Sequence, residues 1–397
     1  MKLFKSTMKY GLAMTCAAVM SAGTAHAQSA GDLTLGMATS KTGPWVSLAN
    51  TNEIAAQIAV DEINASGGIN GRKLALRVFD TSGDPKQAAL AVRRFVDEDA
   101  LAIVGPFSSS EVRVSFPAGE RAGIVQMSMS SSAPGLAKGF GYGFRNTVDE
   151  GRVIKQVMAS LRSKGLPMQT GAIAYATDDT VSKSVGTNVF PPLFEQAQVP
   201  VTATVDFQHK AFDLSSQVSR LAAARPDVVG LGAPPEGAVN LAKELRRQGV
   251  QTRLIGGTTF ADPDLPQRMD GAGETTTIGT TFYGDFNDTT RAFVAEFAKR
   301  TRAVGLERTE PNQMDASSYD IVYMYATAMR EARVTGAKSA LKKERTAIRD
   351  ALVAAKEFNV LEGPIFFDKD HDAIKPIYIL ETRNRAWTLM DRRLPQE

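Results

Sequence analysis

The strongest constraint on the fold is an alternation, running from about residue 33 to residue 281, of short apolar runs with amphipathic stretches of helix length. Strands interleaved with helices of roughly 10 to 15 residues predict parallel α/β layers, because each parallel strand needs a crossover long enough to return the chain to the same end of the sheet. Leu33 to Ala38 reads as a first strand and Asn50 to Asn64 as a helix. In that helix Ile54, Ile58, Ala59 and Ile63 recur at helical spacing, while Glu53, Gln57, Asp61 and Glu62 supply polar positions. Leu74, Leu76 and Val78 alternate with Lys73 and Arg77 as a strand at or near a sheet edge, and Leu101 to Val104 is a continuous apolar strand. Further strands are expected at 171–176, 199–205, 227–232 and 253–256, with helices at 153–164, 214–224 and 237–248 between them. Helices at 291–302 and 314–333 follow, then strands at 361–367 and 377–381 around an acidic turn, Asp368 to Asp372.

The first 27 residues read as an export signal, with Lys2, Lys5 and Lys9 ahead of a short apolar core and Ala25-His26-Ala27 as the cleavage site. The core is too short to span a bilayer, and nothing later supplies about 20 continuous apolar residues. The expected location is therefore the periplasm, without stable membrane insertion. Cys16 is the one cysteine and leaves with the signal; the residues before it lack a lipoprotein pattern. Cleavage removes three lysines and no acid, so the 46 basic side chains fall to match the 43 acidic ones. A neutral surface gives no electrostatic reason for a nucleic-acid partner. The remaining length exceeds the size at which one core usually stops growing, so two domains are expected. No low-complexity linker separates them, which favours two lobes with several short crossovers.

Two serine tracts, Ser108-Ser109-Ser110 and Ser130-Ser131-Ser132, each follow an apolar run. Ligands of open α/β sheets collect at the carboxyl ends of strands, where hydroxyls and free backbone N–H groups hold a carboxylate or another small polar group. A hydrolase needs an activated serine, yet G-x-S-x-G is absent around both tracts and the mature histidines, His209 and His371, sit in polar turns. No zinc spacing exists, and Asp368-Lys369-Asp370-His371-Asp372 lacks the glycine and terminal glutamate of a calcium loop, so it reads as a solvent-exposed hairpin turn. Gly105-Pro106 and Gly256-Gly257 form no P-loop. No cofactor is called for. Gly232-Ala233-Pro234-Pro235-Glu236 ends a strand where either a ligand contact or a plain helix-leading turn fits, and Trp45, Phe282 and Tyr283 are aromatics placed to line a cleft or to pack.

The segments LTLGMATSKTGP, VDEINASGGINGRKLALRVFDTSGDPKQA, LAIVGPFSSSE, SMSSSAPGL and LEGPIFFD together resemble the periplasmic substrate-binding proteins of branched-chain amino acid ABC transporters, the leucine/isoleucine/valine-binding family, over essentially the whole mature chain. The resemblance implies a type 1 periplasmic-binding fold: a two-lobe clamshell of parallel-sheet α/β domains joined by three crossovers. Carried over, lobe 1 comprises 29–149 with 282–357 and lobe 2 comprises 150–281 with 358–390. The family's carboxylate-holding serine falls on Ser109, and its companion backbone and hydroxyl contacts fall on Ser130 and Ser132.

The opposite wall departs from the amino-acid binders. Val181 stands where the family has an aromatic ring, a second family aromatic corresponds to Ala233, and the acid that neutralises the ligand ammonium corresponds to Thr258. A buried ammonium without an anionic partner is costly. Either Asp262 or Glu236 substitutes from a shifted loop, or the ligand is an aromatic or aliphatic carboxylic acid without an α-amino group, for which Val181, Ala233, Phe260 and Trp45 offer a less polar pocket. The second reading is preferred slightly. The expectation is thus a monomeric, non-enzymatic binding protein that presents a small carboxylate to the membrane subunits of an ABC permease. Its rivals are a branched-chain amino acid binder and an extracellular ligand sensor for a receptor.

Overall fold

The computed structural model describes residues 31–394, so the expected signal at 1–27 lies outside the described residues. β1 (Leu33–Thr39), β2 (Leu74–Asp80), β3 (Ala102–Val104), β4 (Val125–Ser128) and β5 (Gly143–Arg145) form a five-stranded sheet in the order β2-β1-β3-β4-β5, with every neighbour parallel. β2 lies at the edge, as its alternation predicts. A second sheet holds β6 (Gly171–Ala176), β7 (Val201–Phe207), β8 (Val228–Gly232), β9 (Arg253–Gly256) and β10 (Thr277–Thr280), parallel in the order β10-β9-β8-β6-β7. β11 (Phe358–Val360), β12 (Gly363–Phe367) and β13 (Ala373–Ile374) make a small antiparallel sheet of their own. β14 (Ile377–Arg383) and β15 (Ala386–Arg393) then extend the second sheet, antiparallel, beyond β10.

Both large sheets are covered on two faces, as parallel sheets require. In the first lobe the helices Asn52–Ala65 and Gln313–Glu331 pack on one face, while Pro85–Asp97 and Ser109–Ala122 pack on the other. Phe95 of the helix Pro85–Asp97 lies flat on β1 at Gly36, where an added Cβ would come within 2.5 Å of the ring. In the second lobe Glu150–Ser163 covers one face, and Ser215–Ala224 with Pro235–Arg247 enclose a separate core around Val205, Leu231 and Leu241 on the other.

Three differences from the sequence reading have local causes. The strand expected from 199 begins at Val201, because Pro200 has no N–H to give the ladder and contributes only its carbonyl, to Gly171. The strand expected from Leu361 begins at Gly363, since the N–H groups of Leu361 and Glu362 are taken by the buried carboxylate of Asp320, at 2.8 and 3.2 Å. The acidic turn is not simply solvent-exposed. Asp368 accepts from the N–H groups of Asp370 and Asp372, but Asp372 itself is buried in a bidentate pair with Arg145, both contacts at 2.5 Å, and His371 stacks on Phe144 with ring centroids 4.1 Å apart. A fully buried arginine at the end of β5 draws that carboxylate inward.

The chain passes between the two large sheets three times, through residues 146–149, 281–287 and 355–376. One buried polar network ties the three passages together. Lys375 Nζ reaches Glu362 Oε2 at 2.5 Å and the Asn146 carbonyl at 2.9 Å, and Thr281 Oγ1 donates to Glu362 Oε1 at 2.9 Å. Lys375 and Glu362 are wholly buried, and Asp320 lies alongside. Burial first, and then the neighbouring Glu362 carboxylate, push Asp320 well above the ordinary range; burial raises Glu362 too, against the pull of Lys375.

Candidate functional site

The carboxyl ends of the strands of both sheets converge on one small enclosed space. β1 leads through Ser40–Pro44 to Trp45, which is buried and packs on Phe107 with centroids 6.0 Å apart. β3 leads to Ser108, the N-cap of the helix Ser109–Ala122. Its hydroxyl accepts from Glu111 N at 3.3 Å, and Glu111 Oε2 accepts from Ser108 N at 2.7 Å, a reciprocal capping box. This arrangement turns the first N–H groups of the helix, those of Ser109 and Ser110, towards an anion position at its positive end. β4 leads to the second serine tract, and Ser128 at its end joins the tracts: its hydroxyl donates to Pro106 O at 2.7 Å and accepts from Ser131 N at 3.1 Å.

The second tract is held from behind by Arg145. Nη1 donates to the carbonyls of Ser131 and Ala133, at 2.9 and 2.6 Å, while Nε and Nη2 grip Asp372. The guanidinium thus shapes the loop, and the acidic turn neutralises the guanidinium.

From the other lobe, Asp179 caps the short helix Thr180–Ser184 that carries Val181, and β9 leads through Gly257 to the 3₁₀ turn Thr258–Phe260. That turn rests on Glu150, the first residue of its helix and fully buried. Glu150 accepts from Thr258 N at 3.1 Å, Thr259 N at 3.1 Å and Thr258 Oγ1 at 2.9 Å. A Cβ at position 257 would fall 1.8 Å from the carboxylate, so glycine is required for this approach. Burial pushes the Glu150 carboxyl up to about 7 despite those three donors, with Asp149 adding a smaller push in the same direction. The lobes touch here: Thr258 Oγ1 lies 3.2 Å from Ser132 Oγ, and Glu150 N donates to Ser132 O at 2.9 Å.

The enclosed space, a cavity of only about 10 Å³ as it stands, is lined by Trp45, Ser109, Ser130, Ser132, Val181 and Thr258 among the expected residues, together with Leu48, Phe107, Ser108, Ser131, Thr259 and Met314. Ala233 and Phe260 are elsewhere. Both are fully buried in the core of the second lobe, where the Phe260 ring fills the space beside Gly256. Asp262 and Glu236, the proposed stand-ins for an ammonium acceptor, both bond Arg268 instead, at 3.1 and 3.2 Å. Phe282 and Tyr283 line a different and larger cleft of about 610 Å³ beside the second passage. No lining side chain of that cleft is a buried polar group without a partner, whereas Ser131 Oγ and Thr259 Oγ1 in the serine cavity are both buried and unpartnered. Such hydroxyls are costly unless something else bonds them. The expected hydroxyls are more committed, since Ser109 Oγ accepts from Ala133 N at 3.3 Å and Ser132 Oγ meets Thr258.

A family model described as periplasmic binding protein matches residues 32–386. The chain belongs to the periplasmic binding protein family. Its curated relatives include several Leu/Ile/Val-binding proteins. The binding protein is 25% identical over 378 residues to the Leu/Ile/Val-binding protein BraC3 of Rhizobium johnstonii, covering 92% of this chain and 94% of the relative. Among solved structures it superimposes on the branched-chain amino acid transporter substrate-binding protein LivJ of Streptococcus pneumoniae, in complex with isoleucine, with a TM-score of 0.79 at 21% identity over 91% of this chain and 99% of that one. A solute-binding protein of an R. palustris ABC transporter, in complex with benzoate, gives 0.77 at 17% identity over 92% and 97%. These likenesses establish a type 1 two-lobe fold, and the relatives named are binding proteins and not enzymes. Among the described residues no helix is long and apolar enough to cross a membrane.

Sequence reasoning missed Glu150, Arg145, Ser131 and Thr259. Ser131 and Thr259 had a signal, since each neighbours a residue singled out. Arg145 had none, because its partner lies 227 residues away.

Proposed function

We propose that this chain captures a small carboxylate-bearing solute without an α-amino group, an aromatic or aliphatic acid, in the serine cavity and presents it to the membrane subunits of an ABC permease. The observation that carries the reading is the lining itself. It offers serine and threonine hydroxyls and a helix N-terminus, with an apolar wall of Trp45, Leu48, Phe107, Val181 and Met314, and no charged side chain. A carboxylate finds donors there, while an ammonium finds no anionic wall. The solute is held first by the serine tracts. The 146–149, 281–287 and 355–376 passages then let the lobe carrying Val181 and Thr258 close over it, a hinge motion in which the ligand shifts an open–closed equilibrium. The moving bodies are taken as 29–149 with 282–357 and 150–281 with 358–390. The cavity is narrow as it stands, so even a small solute enters only when the lobes part.

A second reading, capture of a branched-chain amino acid, is favoured by the acid directly behind Thr258 and by the names of the relatives. A thermal-shift screen on mature protein unfolded and refolded to strip carried ligand distinguishes the two. Benzoate, 4-hydroxybenzoate and 4-methylpentanoate are expected to raise Tm and leucine is not; a rise with leucine or isoleucine alone replaces the first reading by the second.

A further inference from the structure

Glu150 does not line the cavity, yet it is joined to it by a single hydroxyl. Thr258 Oγ1 stands 2.9 Å from Glu150 Oε1 on one side and 3.2 Å from Ser132 Oγ on the other. The hydroxyl is placed to donate to either neighbour and has one proton, so it donates to one of them at a time. With Glu150 ionised, every group around it must donate: the N–H groups of Thr258 and Thr259 and the Thr258 hydroxyl. Ser132 Oγ, which accepts from Thr258 Oγ1 at 3.2 Å, then loses that donor and stands outside the chain of hydroxyls. With Glu150 protonated, its O–H donates to Thr258 Oγ1, the only acceptor among these groups. The Thr258 proton swings to Ser132 Oγ, and the Ser132 proton is free for a ligand oxygen.

We infer that Glu150 is a positioning residue that sets, through Thr258, whether Ser132 receives a proton from behind and so hands its own to the bound molecule, so that capture of a carboxylate is accompanied by uptake of one proton on Glu150. The inference rests on the serine cavity being the ligand site. The charges around Glu150 leave the proton balance to the acid itself. No cation among the described residues lies within ion-pair distance of its carboxylate. Asp149 precedes it, and Asp179 caps the neighbouring short helix. Asp262 is tied to Arg268, Lys375 to Glu362 and Arg145 to Asp372, while Arg253 and Glu381 pair with each other on β9 and β14. The carboxyl, raised by burial to about 7, exchanges its proton where both forms are populated at neutral pH, and a bound anion a few ångströms away favours the protonated form.

The test uses refolded mature protein labelled with ¹³C at the glutamate carboxyl carbon, with the Glu150 signal identified by its loss in Glu150→Gln. In the unliganded protein the signal is expected to titrate near neutrality, and saturating benzoate should move the midpoint upward. Calorimetry with benzoate should show affinity nearly constant at acid pH and falling by up to about tenfold per pH unit above neutrality. Comparison of two buffers with different ionisation enthalpies should show net proton uptake. Glu150→Gln, which cannot ionise, should bind benzoate with a flat pH profile. Thr258→Val should retain the Glu150 titration but lose most of the pH slope, which a merely structural role for Glu150 would not produce. A Glu150 signal titrating below about pH 5 in unliganded protein overturns the inference whatever the ligand is. So does a pH-independent benzoate affinity in the unsubstituted chain. Binding of leucine alone, with the Glu150 midpoint lowered, removes the carboxylate reading and reverses the predicted sign, while the unliganded titration stays separately readable.

Discussion

At the scale of residues, the site is defined by which hydroxyls are already engaged. Ser109 and Ser132 stood out in the sequence because they follow strand ends, but each has a protein partner, whereas Ser131 Oγ and Thr259 Oγ1 are buried with none. A buried hydroxyl with no partner costs its desolvation in the unliganded protein and is poised to bond a ligand. Ser131→Ala is therefore expected to leave the stability of the unliganded protein unchanged or to raise it by about 1 kcal/mol. It should also weaken carboxylate binding by roughly 10- to 100-fold, the loss typical of a hydrogen bond to a charged group. Calorimetry for affinity and urea unfolding for stability check the two halves, and a destabilised variant with unchanged affinity would assign Ser131 a packing role. The strand-end rule found the right loops because it depends only on local sequence. It could not rank the serines within a loop, because rank depends on partners such as Arg145 and Glu150 that meet the tract only in three dimensions.

At the scale of elements, the alternation of strands and helices was legible almost throughout, since each element's apolar face is written in a dozen consecutive residues. What escaped includes the helix Ser109–Ala122, β5, the helical segments Thr180–Ser184 and Phe190–Gln196, the final antiparallel strand β15, the helix Leu341–Ala354 and the inward reach of the turn Asp368–Asp372. The turn looks solvated because all five of its residues are charged or titratable, and nothing nearby announces that Arg145 is buried. The turn is a brace for the second serine tract: Asp372 neutralises Arg145, and Arg145 fixes the carbonyls of Ser131 and Ala133. Asp372→Asn leaves a buried guanidinium uncompensated, which is expected to cost about 3–5 kcal/mol. The double variant Arg145→Met, Asp372→Leu removes both charges and should regain most of that stability, because an apolar pair of similar volume is often neutral. Its affinity should stay low, since the two carbonyls lose their common donor. Denaturant unfolding beside calorimetry for the two variants separates the brace from the charge, and full recovery of affinity in the double variant would show that Arg145 does not shape the tract.

At the scale of the whole molecule, the three passages between the lobes meet at one buried cation. Lys375 bonds Asn146 of the first passage and Glu362 of its own, and Glu362 accepts from Thr281 of the second. The site and the hinge are thus supported by separate buried charges, Arg145 for one and Lys375 for the other. Replacing Lys375 by methionine keeps all but the last atom of the side chain's length and leaves Asp320 and Glu362 buried side by side without a cation. Both acids are already pushed above their ordinary range by burial, and loss of Lys375 pushes them further in the same direction. An acid whose pKa is higher in the folded than in the unfolded chain adds stability that is fully present below the unfolded value and is lost as pH rises through the folded one. The deficit of Lys375→Met should therefore be small in mild acid, where both acids are protonated in the folded chain, and should grow to about 3–5 kcal/mol towards neutral and alkaline pH. Thermal unfolding of both proteins from about pH 5 to about pH 8 reads this directly, the gap in Tm widening with pH. A gap that is constant with pH, or that narrows as pH rises, would mean that Lys375 acts through packing and not as the counter-charge of the hinge.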